Sequence, residues 1–294
     1  MKALISGGTG LVGRYIVEAL LDANYEIVVG GRTPPAGGLF SKPVEFRPLS
    51  LDPDRSPGDM FADVDAFIHA AFDHLPGRYR GGEGDDPARF RRSNVEGTIN
   101  LFEAAKRADV RRVVFLSSRA VYDGVPPGTR LTETLDLQPA SLYGEIKLLG
   151  ERALAGLNAP DFVTSGLRLT GVYGELRPNK WDTLFADFLA GREIPVRAGS
   201  EVHGHDVGQA VRLMLESELK KIGGQAFNVS DLVADTCDLL ETLHQNNPGS
   251  PALPLAADKS GVAEMDTSKI RRLGWIPGGW PLLKKTTAVL SLTQ

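Results

Sequence analysis

Apolar runs of strand length alternate with helical patterns from the start of the chain to residue 170. The helical patterns cover residues 11–22, 87–107 and 141–156, and the apolar runs read KALIS, YEIVVG, VEFRPLS, AFIHAA, RRVVFLSS and FVTSGLRL. Strands that alternate with helices form a parallel sheet through right-handed crossovers, with helices on both faces. We therefore predict a doubly wound α/β sheet over residues 1–170.

The pattern changes after residue 170, where glycines, prolines and charged residues divide the chain into shorter pieces. Helices are predicted over 182–190 and 206–217, a strand at QAFNVS, and a last helix after Pro281. Residues 171–294 are thus expected to form a smaller part that is interleaved with the sheet, with an approximate boundary at residue 170.

Composition removes several classes of protein. The 294 residues are 42% hydrophobic, and the formal net charge of -4, without a long basic run, argues against nucleic acid or an anionic membrane as partner. Cys237 is the sole cysteine, which excludes an internal disulfide. No Cys/His cluster has metal-ligand spacing, so no metal is expected. Without a signal sequence or an apolar run of about 18 residues, we expect a cytoplasmic protein that does not span a membrane.

A glycine-rich segment follows the first predicted strand directly. In SGGTGLVG, Gly8, Gly10 and Gly13 fit G-x-G-x-x-G, and Gly7 adds a second phase of the pattern. Such glycines let the backbone approach a pyrophosphate, whose charge then lies at the N-terminus of the following helix. The position between a strand and a helix predicts dinucleotide binding rather than a merely structural turn.

The end of the second strand indicates which dinucleotide is preferred. Gly30, Gly31 and Arg32 stand where an acid commonly binds the ribose hydroxyls of NAD. Without that acid a 2′-phosphate is not repelled, and a guanidinium can bind it, so NADP(H) is favoured while NAD(H) stays possible. An ordinary surface arginine is the alternative for Arg32. Asp52 could accept a hydrogen bond from adenine, although an Asp before Pro also suits a turn.

Tyr143 and Lys147 are four residues apart in SLYGEIKLLGE and share one face of a predicted helix. A lysine beside a phenol favours the phenolate, so this tyrosine could exchange protons with a substrate oxygen. For an isolated pair, a chance meeting of an exposed lysine and a half-buried tyrosine is the alternative.

Several motifs together resemble one family, the extended short-chain dehydrogenases/reductases, also called the NAD(P)-dependent epimerase/dehydratase family. The resemblance covers most of the chain, and its motifs are GGTGLVG at 7–13, IHAA at 68–71, NVEGTINLFEAAK at 94–106, VVFLSSRAVYDG at 113–124, YGEIK at 143–147, LRLTGVYG at 167–174 and LGWIP at 273–277. It implies a Rossmann sheet with the cofactor across the strand ends, and a substrate cleft closed by the C-terminal part.

The resemblance also implies roles for individual residues. Tyr143 would be the general acid/base, Lys147 would hold the nicotinamide ribose, and Ser118 would hydrogen bond the reacting oxygen. Ser117 is expected to pack or to bond the backbone, with an exchange of roles with Ser118 as the alternative. The expected cofactor-binding residues are Gly7, Gly10, Leu11, Val12, Gly13, Arg32, Asp52, Ala70, Ala71, Asn94, Ser117, Tyr143 and Lys147. N-capping of the long helix is an equally good interpretation of Asn94.

The chain departs from the family pattern in ways that bear on the reaction. Arg119 and Ala120 follow the serine, and VYG is extended by one residue to Val121–Gly124. No Asp-Glu pair follows Ser118 as in the sugar-nucleotide dehydratases, so elimination of water is disfavoured. The missing acid after the second strand weakens the epimerase interpretation.

The substrate side is specified less well. Candidates by position are His74, Arg78, Arg80, Arg119, Thr170, Tyr173, Arg177 and Lys180. Arg177 and Lys180 could meet a diphosphate or belong to a solvated loop. His203 and His205 are not expected to bind metal, because no carboxylate or cysteine has suitable spacing in the sequence.

The leading prediction is an NAD(P)-dependent oxidoreductase/epimerase that moves hydride between nicotinamide C4 and a carbonyl or carbinol carbon, with Tyr143 carrying the proton. A nucleotide-sugar 4-epimerase with tightly bound NAD is the alternative enzyme. A non-catalytic NADP-binding redox sensor is the alternative of another class. The expected partner is a small molecule, a sugar nucleotide or another carbonyl or hydroxyl compound. The family resemblance also suggests a homodimer formed through residues 94–106 and 141–156.

Overall fold

Seven parallel strands among the described residues form one sheet. The computed structural model describes residues 1–75, 81–126 and 128–292. The sheet has the order β3-β2-β1-β4-β5-β6-β9. Its strands are β1 (Lys2–Ser6), β2 (Glu26–Gly31), β3 (Glu45–Pro48), β4 (Ala66–His69), β5 (Arg112–Ser118), β6 (Val163–Leu169) and β9 (Gln225–Val229). The remaining strands, β7 (Gly171–Tyr173), β8 (Ala198–His203) and β10 (Leu232–Asp235), form a second sheet.

The helices follow the predicted pattern closely in the first half of the chain. They are α1 (Leu11–Asp22), α2 (Pro87–Arg107), α3 (Leu142–Gly156), α4 (Asp182–Leu189), α5 (Gly204–Glu216), α6 (Leu219–Ile222), α7 (Thr236–Asn246), α8 (Ser268–Arg271) and α9 (Gly279–Ser291), with a 3-10 turn at Arg119–Tyr122. The predicted fold class, a doubly wound Rossmann-like α/β sheet, is confirmed. Within the described ranges, no helix is long and apolar enough to cross a membrane.

Apolar side chains pack on both faces of the large sheet. Alternate strand residues point to opposite faces, so Ile5 belongs to a core with Ile16 of α1 and Val211 of α5, whereas its neighbour Leu4 packs with Phe102 of α2. A third core lies around the small sheet, where Phe185 and Leu240 are buried. Helices therefore cover both faces, as the alternating pattern predicts.

The parallel register brings the carboxyl ends of the strands to one edge. Ser6 pairs with both Gly30 and His69, and Ser118 pairs with Leu169. Strand β9 follows residue 171 yet completes the large sheet beside β6. The C-terminal part is thus interleaved with the sheet, and the division of domains at residue 170 stays a prediction.

Candidate active site

A cleft of about 1640 Å³ runs along the carboxyl ends of the large sheet. Ligands of open α/β sheets bind at this edge. Most of the residues predicted for the site line this cleft, namely Gly7, Gly10, Leu11, Val12, Gly13, Arg32, Asp52, Ala70, Ala71, His74, Ser117, Ser118, Arg119, Tyr143, Lys147, Thr170 and Lys180. The structure therefore brings the glycine-rich loop and the Ser118, Tyr143 and Lys147 set to one cavity.

The glycine-rich loop is held so tightly that side chains would not fit. Gly7 has a φ of 69°, and a Cβ there would lie 2.8 Å from the backbone nitrogen of Ala71. A Cβ on Gly13 would lie 2.2 Å from the carbonyl oxygen of Gly7. No described side chain caps α1 at its N-cap, Gly10. The first turn of α1 lines the cleft, where its N–H groups and helix dipole suit an anion such as a pyrophosphate.

The end of β2 is polar and open. Arg32 is 82% exposed, and its Nη1 lies 3.6 Å from Oδ1 of Asp73 across the cleft. Asp52 accepts a hydrogen bond from the backbone N–H of Asp54 at 3.1 Å, so it stabilises the turn expected of an Asp before Pro. Both residues still line the cleft, so the predicted contacts with a cofactor remain open to them.

Tyr143 and Lys147 lie on the first turns of α3, which packs closely against the end of β5. A Cβ on Gly144 would lie 2.4 Å from the carbonyl oxygen of Ala120, so only glycine permits this approach. The Lys147 ammonium is buried and donates a hydrogen bond to the carbonyl oxygen of Leu116 at 2.8 Å. Burial lowers the pKa of Lys147 to about 7, against the opposing charge of Glu151.

Phe72 lines the cleft beside Tyr143 and Lys147, and the sequence analysis did not predict it. Its ring centroid lies 5.2 Å from that of Tyr143 in an edge-to-face arrangement, and 4.6 Å from the Nζ of Lys147. An ammonium over a ring face is attracted by the ring quadrupole. The signal in the sequence was an aromatic residue directly after IHAA, at the carboxyl end of β4.

The two serines at the end of β5 have different surroundings. The Ser118 Oγ accepts a hydrogen bond from the backbone N–H of Ala120 at 3.1 Å. The Ser117 hydroxyl instead donates to the buried carboxylate of Glu151. Glu151 also binds Arg168, with 2.7 Å between its Oε2 and the arginine Nη2. Ser117 is thus engaged in a buried ionic network, which leaves Ser118 as the serine suited to a reacting oxygen.

Comparison with known proteins decides the family. A family model described as the NAD dependent epimerase/dehydratase family matches residues 3–230. The chain belongs to this family. The family and the class of enzyme predicted from the sequence, a nicotinamide-dependent oxidoreductase or epimerase, are thereby confirmed.

Relatives of this epimerase/dehydratase family member carry different names. UDP-glucose 4-epimerase of Mycolicibacterium smegmatis is 28% identical, with 94% of each chain covered. The decarboxylating sterol-4-alpha-carboxylate 3-dehydrogenase of Homo sapiens is 27% identical, with 78% of this chain and 62% of the human protein covered. Membership of the family therefore does not choose between epimerisation and net oxidoreduction.

Solved structures share the fold. UDP-glucose 4-epimerase of Thermotoga maritima with UDP-glucose has a TM-score of 0.79 at 21% identity, covering 100% of this chain and 99% of that one. UDP-glucuronic acid 4-epimerase of Bacillus cereus in complex with NAD has a TM-score of 0.78 at 21% identity, with both chains fully covered. At this identity the likeness establishes the fold alone.

Some residues expected at the site of this family member lie elsewhere. Asn94 is in the second turn of α2, whose N-cap is Asp86, so the N-cap interpretation of Asn94 is wrong. The buried Asn94 side chain accepts from the backbone N–H of Asp73 at 2.7 Å and donates to the carbonyl oxygens of Asp73 and Phe90. It holds the segment after β4 and is not among the residues that line the cleft.

Two substrate candidates also lie outside the cleft lining. Tyr173 is buried, and its ring stacks on Trp181 at 5.3 Å between centroids. Arg177 binds the carboxylate of Asp182, and its carbonyl oxygen accepts from Arg14 at 2.8 Å. His74, Arg119, Thr170 and Lys180 do line the cleft. Arg78 and Arg80 lie outside the described residues.

His203 and His205 have a carboxylate partner that the sequence analysis did not find. Glu175 has one oxygen 3.2 Å from the Nε2 of each histidine, so the expectation of no carboxylate neighbour is wrong. The pKa of Glu175 falls well below its usual range because both histidines face it, His203 first and His205 second, and the same contact raises the pKa of His205.

The tautomer of His203 argues against a metal at this cluster. The ligand atoms of Glu175, His203 and His205 lie within 4.8 Å of one another, which is a suitable spacing. However, the His203 Nδ1 accepts the N–H of His205 at 3.0 Å as the N-cap bond of α5. A neutral His203 therefore carries its proton on Nε2, which leaves that nitrogen without a lone pair for a metal.

Proposed function

We propose that this protein is an NADP(H)-preferring oxidoreductase that interconverts a carbonyl and a hydroxyl group in a small molecule. The observation that carries the proposal is a shared cavity: the glycine-rich loop, Arg32, Ser118, Tyr143 and Lys147 all line one cleft at the carboxyl ends of β1, β2 and β5. Dinucleotide binding and proton transfer need these groups within reach of one bound substrate.

The cleft suits a dinucleotide, because Gly7, Gly10 and Gly13 line it at the N-terminus of α1, where the backbone N–H groups can meet a pyrophosphate. When bound, the nicotinamide supplies or accepts hydride at C4. Tyr143 gives its proton to the carbonyl oxygen during reduction and takes it back during oxidation. Ser118 donates a hydrogen bond to the same oxygen, and charged Lys147 stabilises the tyrosine phenolate.

The preference for NADP(H) rests on the end of β2. Gly31 presents no carboxylate to repel a 2′-phosphate, and Arg32 stands beside it with an exposed guanidinium. Its present contact with Asp73 is long at 3.6 Å, and such exposed pairs contribute little, so Arg32 can turn to a phosphate at small cost.

A UDP-sugar 4-epimerase with tightly held NAD is the second candidate. The observation in its favour is the 28% identity to UDP-glucose 4-epimerase of Mycolicibacterium smegmatis over nearly the whole chain. Denaturing the purified protein and identifying the released nucleotide separates the two candidates. Stoichiometric NAD that does not exchange favours the epimerase, whereas empty protein that binds NADPH reversibly favours net reduction.

A non-catalytic sensor has no need of the Ser118, Tyr143 and Lys147 set.

The test of the catalytic assignment is Tyr143→Phe. NADPH oxidation is followed with a panel of aldehydes, ketones and sugar nucleotides, and cofactor binding is titrated separately. We expect turnover to fall by about 10²- to 10⁴-fold, the usual contribution of a general acid, while NADPH binding is kept. Tyr25→Phe is the control, since its hydroxyl lies 3.4 Å from Glu216 and away from the cleft. Unchanged turnover of Tyr143→Phe would remove Tyr143 from the mechanism.

We also propose a homodimer formed through α2 and α3. Ile99 of α2 and Leu142 and Leu149 of α3 are apolar side chains that the monomer buries only in part. Light scattering of the full chain at micromolar concentration measures the mass, and a monomer under these conditions contradicts the proposal. The cytoplasmic location stays a prediction.

A further inference from the structure

We infer that the half of the cleft lined by Arg119, Thr170 and Lys180, the substrate half, accepts an uncharged carbonyl or hydroxyl compound and rejects a nucleoside diphosphate, because carboxylates already hold its cations. The inference rests on the proposed function, since it concerns the substrate of the same site. It selects one substrate class among those that the family resemblance leaves open.

Lys180 is the cation whose position best suits it to bind a diphosphate. It lines the cleft, but its ammonium contacts the carboxylate of Glu201. The two side chains are only 29% and 17% exposed, so water screens the pair weakly. A diphosphate that reached this lysine would have to displace the carboxylate or accept its repulsion.

Glu201 lies directly behind the cleft, in contact with two residues that line it, Gly171 and Lys180. Gly171 lines the cleft, and a Cβ there would lie 2.8 Å from the Oε2 of Glu201, so the carboxylate occupies the space above this glycine. Register places the two residues side by side, since Gly171 of β7 pairs with Glu201 of β8. The acid is therefore fixed by strand pairing and does not depend on a mobile loop.

Two further cations also have oxygen partners: Arg119, which lines the cleft, and Arg177, which lies outside the lining. Arg177 binds Asp182. Arg119 donates a hydrogen bond to the carbonyl oxygen of Ala263 at 3.0 Å and lies 3.7 Å from Asp123. Across the part of this half that the structure describes, the cationic groups named here thus face carboxylates or a carbonyl oxygen. Such a surface offers a polyanion little net attraction.

The hydroxyl of Thr170 is a neutral hydrogen-bonding group that favours an uncharged ligand. Thr170 lines the cleft at only 8% exposure, and its hydroxyl has no hydrogen-bond partner among the described residues. Buried polar groups are normally paired, and because this oxygen is shielded from solvent, a ligand in the cleft pairs with it only if the Thr170 side chain turns. The neighbouring wall is apolar, with Leu169 and Val172. A hydroxyl among apolar side chains suits a carbonyl or hydroxyl group of an uncharged substrate.

Calorimetric titration of UDP-glucose into the NADPH-loaded full chain tests the inference. We expect wild type to bind with a Kd above about 1 mM, and Glu201→Gln, which frees Lys180, to bind at least about ten-fold more tightly. Glu218→Gln is the matched control, because Glu218 forms an exposed pair with Lys221 at 2.6 Å. That variant should behave like wild type.

Two results would overturn the inference. One is micromolar binding of UDP-glucose to wild type, which needs no variant to interpret. The other is Glu201→Gln that is folded by circular dichroism yet binds no better than wild type. NADPH is titrated beforehand in the same samples. Protein that does not bind NADPH contradicts the proposed function, whereas NADPH binding together with tight UDP-glucose binding contradicts only the present inference.

Discussion

A single carboxylate at the end of β2 should reverse the cofactor preference. Gly31 is the position to change, since a Cβ there would come no closer than 3.8 Å to the carbonyl oxygen of Thr33 and 3.9 Å to the ring of Phe46. Its neighbour Gly30 could not take a side chain, because its Cβ would lie 2.8 Å from the Cδ1 of Leu49. Gly31→Asp therefore adds the charge without disturbing the sheet.

The magnitude follows from Coulomb's law and one hydrogen bond. A carboxylate about 5 Å from a doubly charged 2′-phosphate costs NADPH about 1.7 kcal/mol in a water-like dielectric. A hydrogen bond from the ribose hydroxyl to the same carboxylate stabilises NADH by about 1 kcal/mol. The sum changes the ratio of the two Kd values by about 100-fold. Removing the guanidinium by Arg32→Ala should cost NADPH alone about 1.5 kcal/mol, the low end for a charged hydrogen bond, because Arg32 is 82% exposed.

Nicotinamide fluorescence measures both affinities at low ionic strength, where screening is least. Wild type should bind NADPH more tightly than NADH, and Gly31→Asp should bind NADH more tightly. Gly31→Ala controls for the side chain without the charge and should resemble wild type. The reasoning is refuted if Gly31→Asp leaves the ratio of the two affinities unchanged, or if Arg32→Ala weakens both cofactors equally.

Three further predictions concern buried groups. Burial lowers the pKa of Lys147 to about 7 from its usual value near 10.5, so between these pH values the folded chain holds fewer protons than the unfolded chain. The free energy of unfolding of wild type should therefore rise with pH. Urea unfolding should show a rise of up to about 1.4 kcal/mol per pH unit, relative to Lys147→Met, from about pH 7 to 10. Glu151→Gln should lower the free energy of unfolding by about 3 to 5 kcal/mol, since it leaves the buried Arg168 charge unpaired. Gly13→Ala should cost about 1 to 3 kcal/mol and weaken NADPH binding, because the added carbon collides with Gly7.

Each of these variants has a control in the same chain. Lys106→Met should leave the pH dependence alone, because the Lys106 side chain is exposed. Glu103→Gln breaks an exposed pair with Arg107 and should change stability by less than about 1 kcal/mol. Gly156→Ala, whose Cβ would meet nothing within 4 Å, should be neutral or slightly stabilising. Equal effects of a variant and its control contradict the corresponding prediction.

Local sequence was sufficient for the elements that bear the glycine-rich loop and the Tyr143 and Lys147 pair. The predicted bounds 11–22 and 87–107 match α1 and α2, because amphipathic periodicity sets both helices and the Asp86 N-cap with Pro87 begins α2. Helix α5 begins at Gly204, two residues before the predicted start, because His203 accepts a backbone N–H as its N-cap. Helix α9 begins before Pro281, as Pro is compatible with the first turn of a helix.

Predictions about side chains without local constraints fared worse. Tyr173 was a substrate candidate by its position in the sequence, yet its ring belongs to the core around the small sheet. Asn94 was interpreted as an N-cap although the predicted helix 87–107 already placed it inside the helix, and its side chain binds the segment after β4. For Tyr173 the outcome depends on where a distant element packs, which periodicity does not encode.

Several ion pairs in this protein join residues that are far apart in the sequence. They bear on which substrate the cleft accepts, whereas the groups for proton transfer come from a single helix. Tyr143 and Lys147 are one helical turn apart, so any helix at this position brings them together. Lys180 meets Glu201 only because β8 pairs with β7, and His203 meets Glu175 only because the chain returns across the same small sheet. A cation seen in the sequence is therefore no measure of the charge that a substrate meets. If Glu201 governs which ligands enter, exchange of acids around β7 and β8 should alter the substrate class of such a fold while its proton-transfer set stays unchanged.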